Sequence, residues 1–187
     1  MRNFILGVVV TLAILILGGL AYLSLGFFPT NADARPGAME TRLANNAMDA
    51  SMEKHAPRAS SPLPATDENL IDGMKIYTMN CSVCHGTLDM KPSPLEHGMY
   101  PPPPQLILMP LDDPEWHINY AVRTGVRYTG MPAWKSTLSD EDIWKVTLLL
   151  ARIEKLSPGV QDYWKKSFGA VPEPGRPAED MKDMDKH

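Results

Sequence analysis

Cysteine is almost missing from this chain: among 187 residues only Cys81 and Cys84 occur. With both inside one short segment, no disulfide framework can be built, and half of a zinc site would have to recruit His97 and His117. No basic run marks a nucleic-acid interface, and the charge balance is mildly acidic, 18 Lys and Arg against 22 Asp and Glu for a net charge of −4. Internal repeats are absent. The surroundings of the cysteines lack strand-like alternation, which removes the βαβ setting of a redox dithiol. No residues resemble a nucleophile–base pair, so no enzyme is expected.

What is present is concentrated in Cys81-Ser82-Val83-Cys84-His85. C-x-x-C-H is the pattern of covalent c-type haem attachment, in which two vinyl groups take up the sulfurs and the adjacent imidazole ligates iron. On a helical turn, positions i, i+3 and i+4 lie together. Two thiols and one imidazole can therefore converge on one porphyrin.

Phe4 to Phe28 contain no charged side chain. At about 1.5 Å per residue this run is long enough to cross a hydrocarbon layer of roughly 30 Å. Ala32-Asp33-Ala34 has the small-x-small form of a signal-peptidase site, but the apolar run exceeds the ~7–15 residues of a signal-peptide core. The reading is a retained transmembrane anchor over residues 1–30. Arg2 and the terminal amine bias the N-terminus to the cytoplasm, while Arg35 and Arg42 weaken that asymmetry.

Residues 31–65, with Pro36, Pro57, Pro62 and Pro64 among Ala, Asn and Ser, read as a flexible linker with an r.m.s. reach of roughly 30 Å. Met39, Leu43, Ala47 and Met52 have some helical spacing, enough for a transient helix. Met39, Met48, Met52 and His55 form only a loose soft-ligand string, without the tight spacing that copper needs. A folded domain is expected over residues 66–157. Thr66 caps its first helix, followed by Asp67 and Glu68 and an apolar face of Leu70, Ile71, Met74 and Tyr77. Residues 86–112, broken by Pro92, Pro94, Pro101 to Pro104 and Pro110, cannot be helical throughout. Asp112-Asp113-Pro114 announces a second helix ending at Gly125. Ser139-Asp140-Glu141-Asp142 opens a third, which Pro158-Gly159 closes. Residues 158–187 read as a charged, Pro-rich tail in which Tyr163, Trp164 and Phe168 could dock, and Met181, Met184 and His187 form a copper-like but solvated string. A domain this small needs a staple, and covalent haem would provide one.

Gly73-x-x-x-Tyr77-x-x-x-Cys81-x-x-Cys84-His85, then Arg123-Thr124-Gly125 and Thr129-Gly130-Met131-Pro132-Ala133-Trp134, resembles class I monohaem cytochromes c of the bacterial membrane-anchored type. The resemblance covers residues 66–157. It implies an all-α cytochrome c fold, three or four short helices around one covalent haem c, preceded by a single N-terminal transmembrane helix. It also implies crossed first and last helices, with Gly73 and Trp144 at the crossing, and a proline carbonyl accepting from His85. The candidates for that carbonyl are Pro92, Pro94 and Pro101 to Pro104.

Met131 is the second axial ligand by the same resemblance. Its chemistry agrees: a thioether is a soft neutral donor, and His/Met ligation suits electron transfer. Gly130 permits close approach and Pro132 keeps the methionine out of a helix. Met90, Met99 and Met109 also lie in irregular segments, and His97 or His117 would give bis-histidine ligation.

The expected function is one-electron transfer between redox protein partners, without substrate chemistry. The expected location is the bacterial cytoplasmic membrane, with the haem domain on the periplasmic side. A permanent haem-bearing subunit of a respiratory or dehydrogenase complex is the alternative. Trp134 and Tyr100 are candidates to bond the propionates or to pack. Arg123, Arg127 and Lys135 flank the methionine loop, where they could steer an acidic partner.

Overall fold

The computed structural model describes residues 1–34 and 36–169. Arg35 and the copper-like string of Met181, Met184 and His187 lie outside them. The described residues divide into two units, Met1–Ala34 and the remainder. Among them there is no strand, only an isolated bridge between Thr87 and Lys91.

The first unit is α1, Arg2–Ser24. Its mean hydropathy over an 18-residue window is 2.8 and none of that window is buried. By length and composition this helix is long and apolar enough to cross a membrane.

In the second unit α3 (Asp67–Asn80) and α6 (Asp140–Leu150) form the central pair. Each starts where a hydroxyl relieves an orphan N–H: Thr66 Oγ1 accepts from Asn69 N at 3.3 Å, and Ser139 Oγ from Asp142 N at 3.1 Å. Their crossing is close because of Gly73. A Cβ there would sit 2.5 Å from the Lys145 carbonyl oxygen, and the three nearest atoms come from Lys145 and Leu149 rather than from Trp144. Asp72 bridges the crossing by accepting from Lys145 Nζ at 3.2 Å. α5 (Glu115–Thr124) packs on α6, burying Ile118 and Val122. Pro114 is its N-cap rather than its first helical residue, as Asp112-Asp113-Pro114 had suggested.

Two segments read from sequence as linker and tail contain ordered helices. α2 runs over Ala38–His55 and packs against α5, burying Met52 and the following Ala56. Met48, Met52 and Ala56 lie four residues apart, a stripe too narrow to hold a helix alone but sufficient once α5 supplies the opposing face. Near its start Glu40 accepts from the Tyr100 hydroxyl. At the other end α6 stops at Leu150, and Pro158 opens a further helix, α7 (Pro158–Phe168), instead of closing the previous one. Ser157 caps it and Pro158 occupies a first-turn position where its missing N–H costs nothing. α7 buries Val160 and Trp164 completely and packs on α3. The Trp164 indole N–H donates to the Leu88 carbonyl at 2.6 Å, and Ser157 Oγ donates to Asp67 at 2.7 Å.

Candidate functional site

Cys81 is the C-cap of α3, and Ser82–His85 forms the single turn α4. The amides of Cys84 and His85 both donate to the Cys81 carbonyl, at 3.1 and 2.9 Å. Both thiols and the imidazole therefore sit on one turn, as the spacing predicts. Cys81 is buried and Cys84 half-buried. Burial, and secondarily Cys84, push the Cys81 thiol up to about 12.

Three carbonyls of the turn, those of Val83, Cys84 and His85, are held from outside it. Ser93 Oγ donates to Val83 O at 2.5 Å. Gln105 Nε2 donates to Cys84 O at 3.2 Å. Leu106 N donates to His85 O at 3.1 Å, and the Tyr77 hydroxyl lies 2.8 Å from both His85 O and Gly86 O. Burial raises the pKa of Tyr77, so the phenol remains a donor. The chain then leaves α4 through Gly86 at φ +86°, a conformation that suits glycine.

His85 Nδ1 lies 2.8 Å from the Pro104 carbonyl oxygen. A carbonyl only accepts, so Nδ1 carries the proton and Nε2 keeps its lone pair. Burial holds the imidazole below its ordinary pKa, against the Pro104 carbonyl, which favours the charged ring. The result is a neutral, oriented imidazole. Of the prolines that sequence left open, Pro104 supplies the acceptor.

Met131 stands in a loop folded back on the end of α5. Val126 N donates to Met131 O at 3.2 Å, and Met131 N to Thr129 Oγ1 at 3.0 Å. Gly125, at φ +67°, makes the fold-back possible: a Cβ there would lie 2.6–2.8 Å from the backbone of Met131, Pro132 and Ala133. A Cβ at Gly130 would overlap the Met99 methyl group. Met131 and Trp134, both half-buried, pack against the same hydrophobic core to which Cys81 belongs.

The two alternative histidines are placed differently. His97 is exposed in the 3₁₀ turn Glu96–Gly98, and His117 Nδ1 is engaged by Asp113 at 2.7 Å. Among the described residues no three His, Cys, Asp or Glu side chains gather as a metal site. Of the basic residues near the methionine loop, Arg123 is paired with Asp140 at 2.8 Å, Arg127 lies against Tyr128, and Lys135 is exposed.

The residues fit a covalent haem in two respects. The donor set is two thiols and a neutral imidazole whose second nitrogen is already committed to Pro104. In addition, Trp134 Nε1 is buried with no acceptor among the described residues, a donor that a cofactor carboxylate would satisfy. Tyr100, the other propionate candidate, instead bonds Glu40. Sequence reasoning missed Ser93 and Gln105: neither lies on a periodic face, and a single amide after a proline run carries no local signal.

Residues 68–149 match the family model described as cytochrome C oxidase, cbb3-type, subunit III. The match takes in both cysteines, His85 and Met131, and ends before α7. No curated protein and no solved structure gives a significant match.

Proposed function

We propose a specific assignment for a chain whose residues 68–149 are a monohaem c-type cytochrome domain that serves electron transfer: Cys81 and Cys84 hold the haem c as thioethers, and His85 and Met131 are its axial ligands. Bound there, haem c supplies a one-electron iron couple. The protein's part is to orient and to exclude. Pro104 engages Nδ1 of His85, which leaves Nε2 free to act as the ligand. Gly125 and Thr129 fold the loop that presents Met131. The core of α3, α5 and α6 keeps water away, and the unpartnered Trp134 N–H is the donor for a propionate. Haem c held by Cys81, Cys84, His85 and Met131 would supply one-electron transfer, the carrier role typical of c-type domains.

The observation that carries this reading is the 2.8 Å contact from His85 Nδ1 to Pro104 within a turn that also bears both thiols. α1 would anchor the protein in the bacterial cytoplasmic membrane as a single span, with the haem domain on the periplasmic side, passing electrons between redox partners. The description of the matched family favours a second arrangement, in which the chain is a permanent subunit of a respiratory oxidase complex.

The test uses the full chain matured in a host that attaches haem. Mass spectrometry should find haem on the peptide containing residues 81–85, and the oxidised protein should show the weak far-red band of methionine–ferric ligation. Absence of that mass, or rapid binding of carbon monoxide to the reduced protein, would refute the assignment. Purification in mild detergent separates the two arrangements: stoichiometric co-purification of other membrane subunits supports the complex, and a monodisperse chain that exchanges electrons on collision supports the free carrier.

A further inference from the structure

We infer that Gln105 is a positioning residue for the axial histidine, setting the strength of the His85–Pro104 hydrogen bond and through it the redox potential. The inference rests on the reading of His85 as an iron ligand.

Gln105 is only 4 % exposed, and its amide is used on both sides. Nε2 donates to Cys84 O at 3.2 Å and to Pro103 O at 2.9 Å, while Oε1 accepts from Ser93 N at 2.7 Å. One side chain therefore joins three segments: the turn bearing the thiols, the end of the proline run, and the strand of chain around Ser93. The contacts bracket the histidine bond. Cys84 directly precedes His85, and Pro103 directly precedes Pro104, whose carbonyl receives the Nδ1 proton. Holding the first pair together fixes the separation of the second.

Ser93 completes the frame. Its hydroxyl donates to Val83 O and accepts from Leu95 N at 3.0 Å, so the acceptor side of Gln105 is tied back to the same turn. The proline run has little structure of its own to hold Pro104 in place. Apart from the Gln105 amide and the histidine contact itself, Leu106 N to His85 O alone joins residues 101–106 to the turn. A buried amide with both ends satisfied is costly to disturb and well defined in position.

The chemistry sets the direction of the effect. A proton shared towards a carbonyl makes the imidazole a stronger donor, which favours the ferric state and lowers the potential. Loosening Pro104 should weaken that donation and raise the potential.

The experiment compares haem-loaded full-length protein with Gln105→Glu and Gln105→Met, which keep side-chain length but remove the N–H donors. Val160→Ala, in the core at α7 and remote in sequence from the turn, serves as a control for general destabilisation. The readouts are the exchange rate of the His85 Nδ1 proton by NMR of the reduced protein and the midpoint potential. Either Gln105 variant should speed that exchange by about tenfold, the factor expected for one net hydrogen bond, and the neutral Gln105→Met should also shift the midpoint upward. Val160→Ala should lower stability and move neither. Unchanged exchange and potential in the Gln105 variants, or equal shifts in the control, would overturn the inference while leaving His85 as ligand. Loss of the hyperfine-shifted imidazole signals in the oxidised wild type would remove the ligand assignment itself, and the inference with it. Should neither variant mature, the wild type still decides. In sub-denaturing urea the Gln105 amide protons and the His85 Nδ1 proton should exchange through one opening with a common urea slope. Independent opening of the histidine proton sinks the proposal.

Discussion

Replacing Trp164 with alanine should destabilise the cytochrome domain as much as a central core deletion, although the residue lies outside the family-matched segment. The side chain is fully buried and belongs to the main hydrophobic core. Truncating a buried tryptophan to alanine typically costs about 3–5 kcal/mol through lost burial and the cavity left behind. The Leu88 carbonyl also loses its 2.6 Å donor, although water entering the cavity would recover part of that. A net loss of about 4 kcal/mol is expected. At a urea m-value of about 2 kcal/mol/M this moves the midpoint down by about 2 M. Trp164→Phe keeps most of the ring but not the N–H, and should cost about 1.5–2 kcal/mol. The assay is urea titration of the detergent-solubilised, haem-loaded chain, followed by far-UV circular dichroism and haem absorbance together. A midpoint for the alanine variant within about 0.3 M of wild type would mean that α7 is not part of the cooperative unit, and the packing argument would fail.

Gly73→Ala should be destabilising by about 2 kcal/mol despite the better helix propensity of alanine, because the new Cβ meets the Lys145 main chain and only separation of α3 from α6 relieves it; a neutral or stabilising result in the same titration would contradict the crossing. Gly125→Ala is strained by its φ of +67° and by the backbone of Met131 to Ala133, so it should diminish the methionine–ferric band with little loss of covalent haem; an unaltered band would show that this loop does not depend on the fold-back. Hydrogen bonds from Lys75 and then Lys145 hold the Asp72 carboxyl below its ordinary pKa. A depressed pKa contributes stability above the unfolded value of about 4, lost as pH falls through the folded value. Asp72→Asn should therefore be less stable than wild type at neutral pH and converge with it in acid, and a pH-independent difference in unfolding midpoint would exclude this linkage.

Much of the site was legible because its chemistry is local. The two thiols and the imidazole needed only a helical turn to meet, and Thr66 and Ser139 announced their helices by satisfying N–H groups within three residues. What escaped depends on distant partners. Pro158 carries the same local signal whether it stops one helix or starts another, and only the Leu88 carbonyl and the face of α3 make the second choice favourable for α7. The stripe of Met48, Met52 and Ala56 is too thin to predict a stable α2 until α5 lies opposite it. Likewise a list of prolines cannot say which carbonyl meets His85, since the choice is made by an amide that joins Pro103 to Cys84.

The wide spacing of the contacts around α3 bears on the order of events during biosynthesis. Asp72 waits for a lysine 73 residues downstream, and Asp67 for a serine 90 residues downstream. While the chain is still emerging, the helix that leads into the two thiols has no lid, and closing such long loops is entropically slow. Cys81, buried in the finished fold, is therefore reachable for longer than its final burial suggests, and Cys84 stays half-buried even at the end.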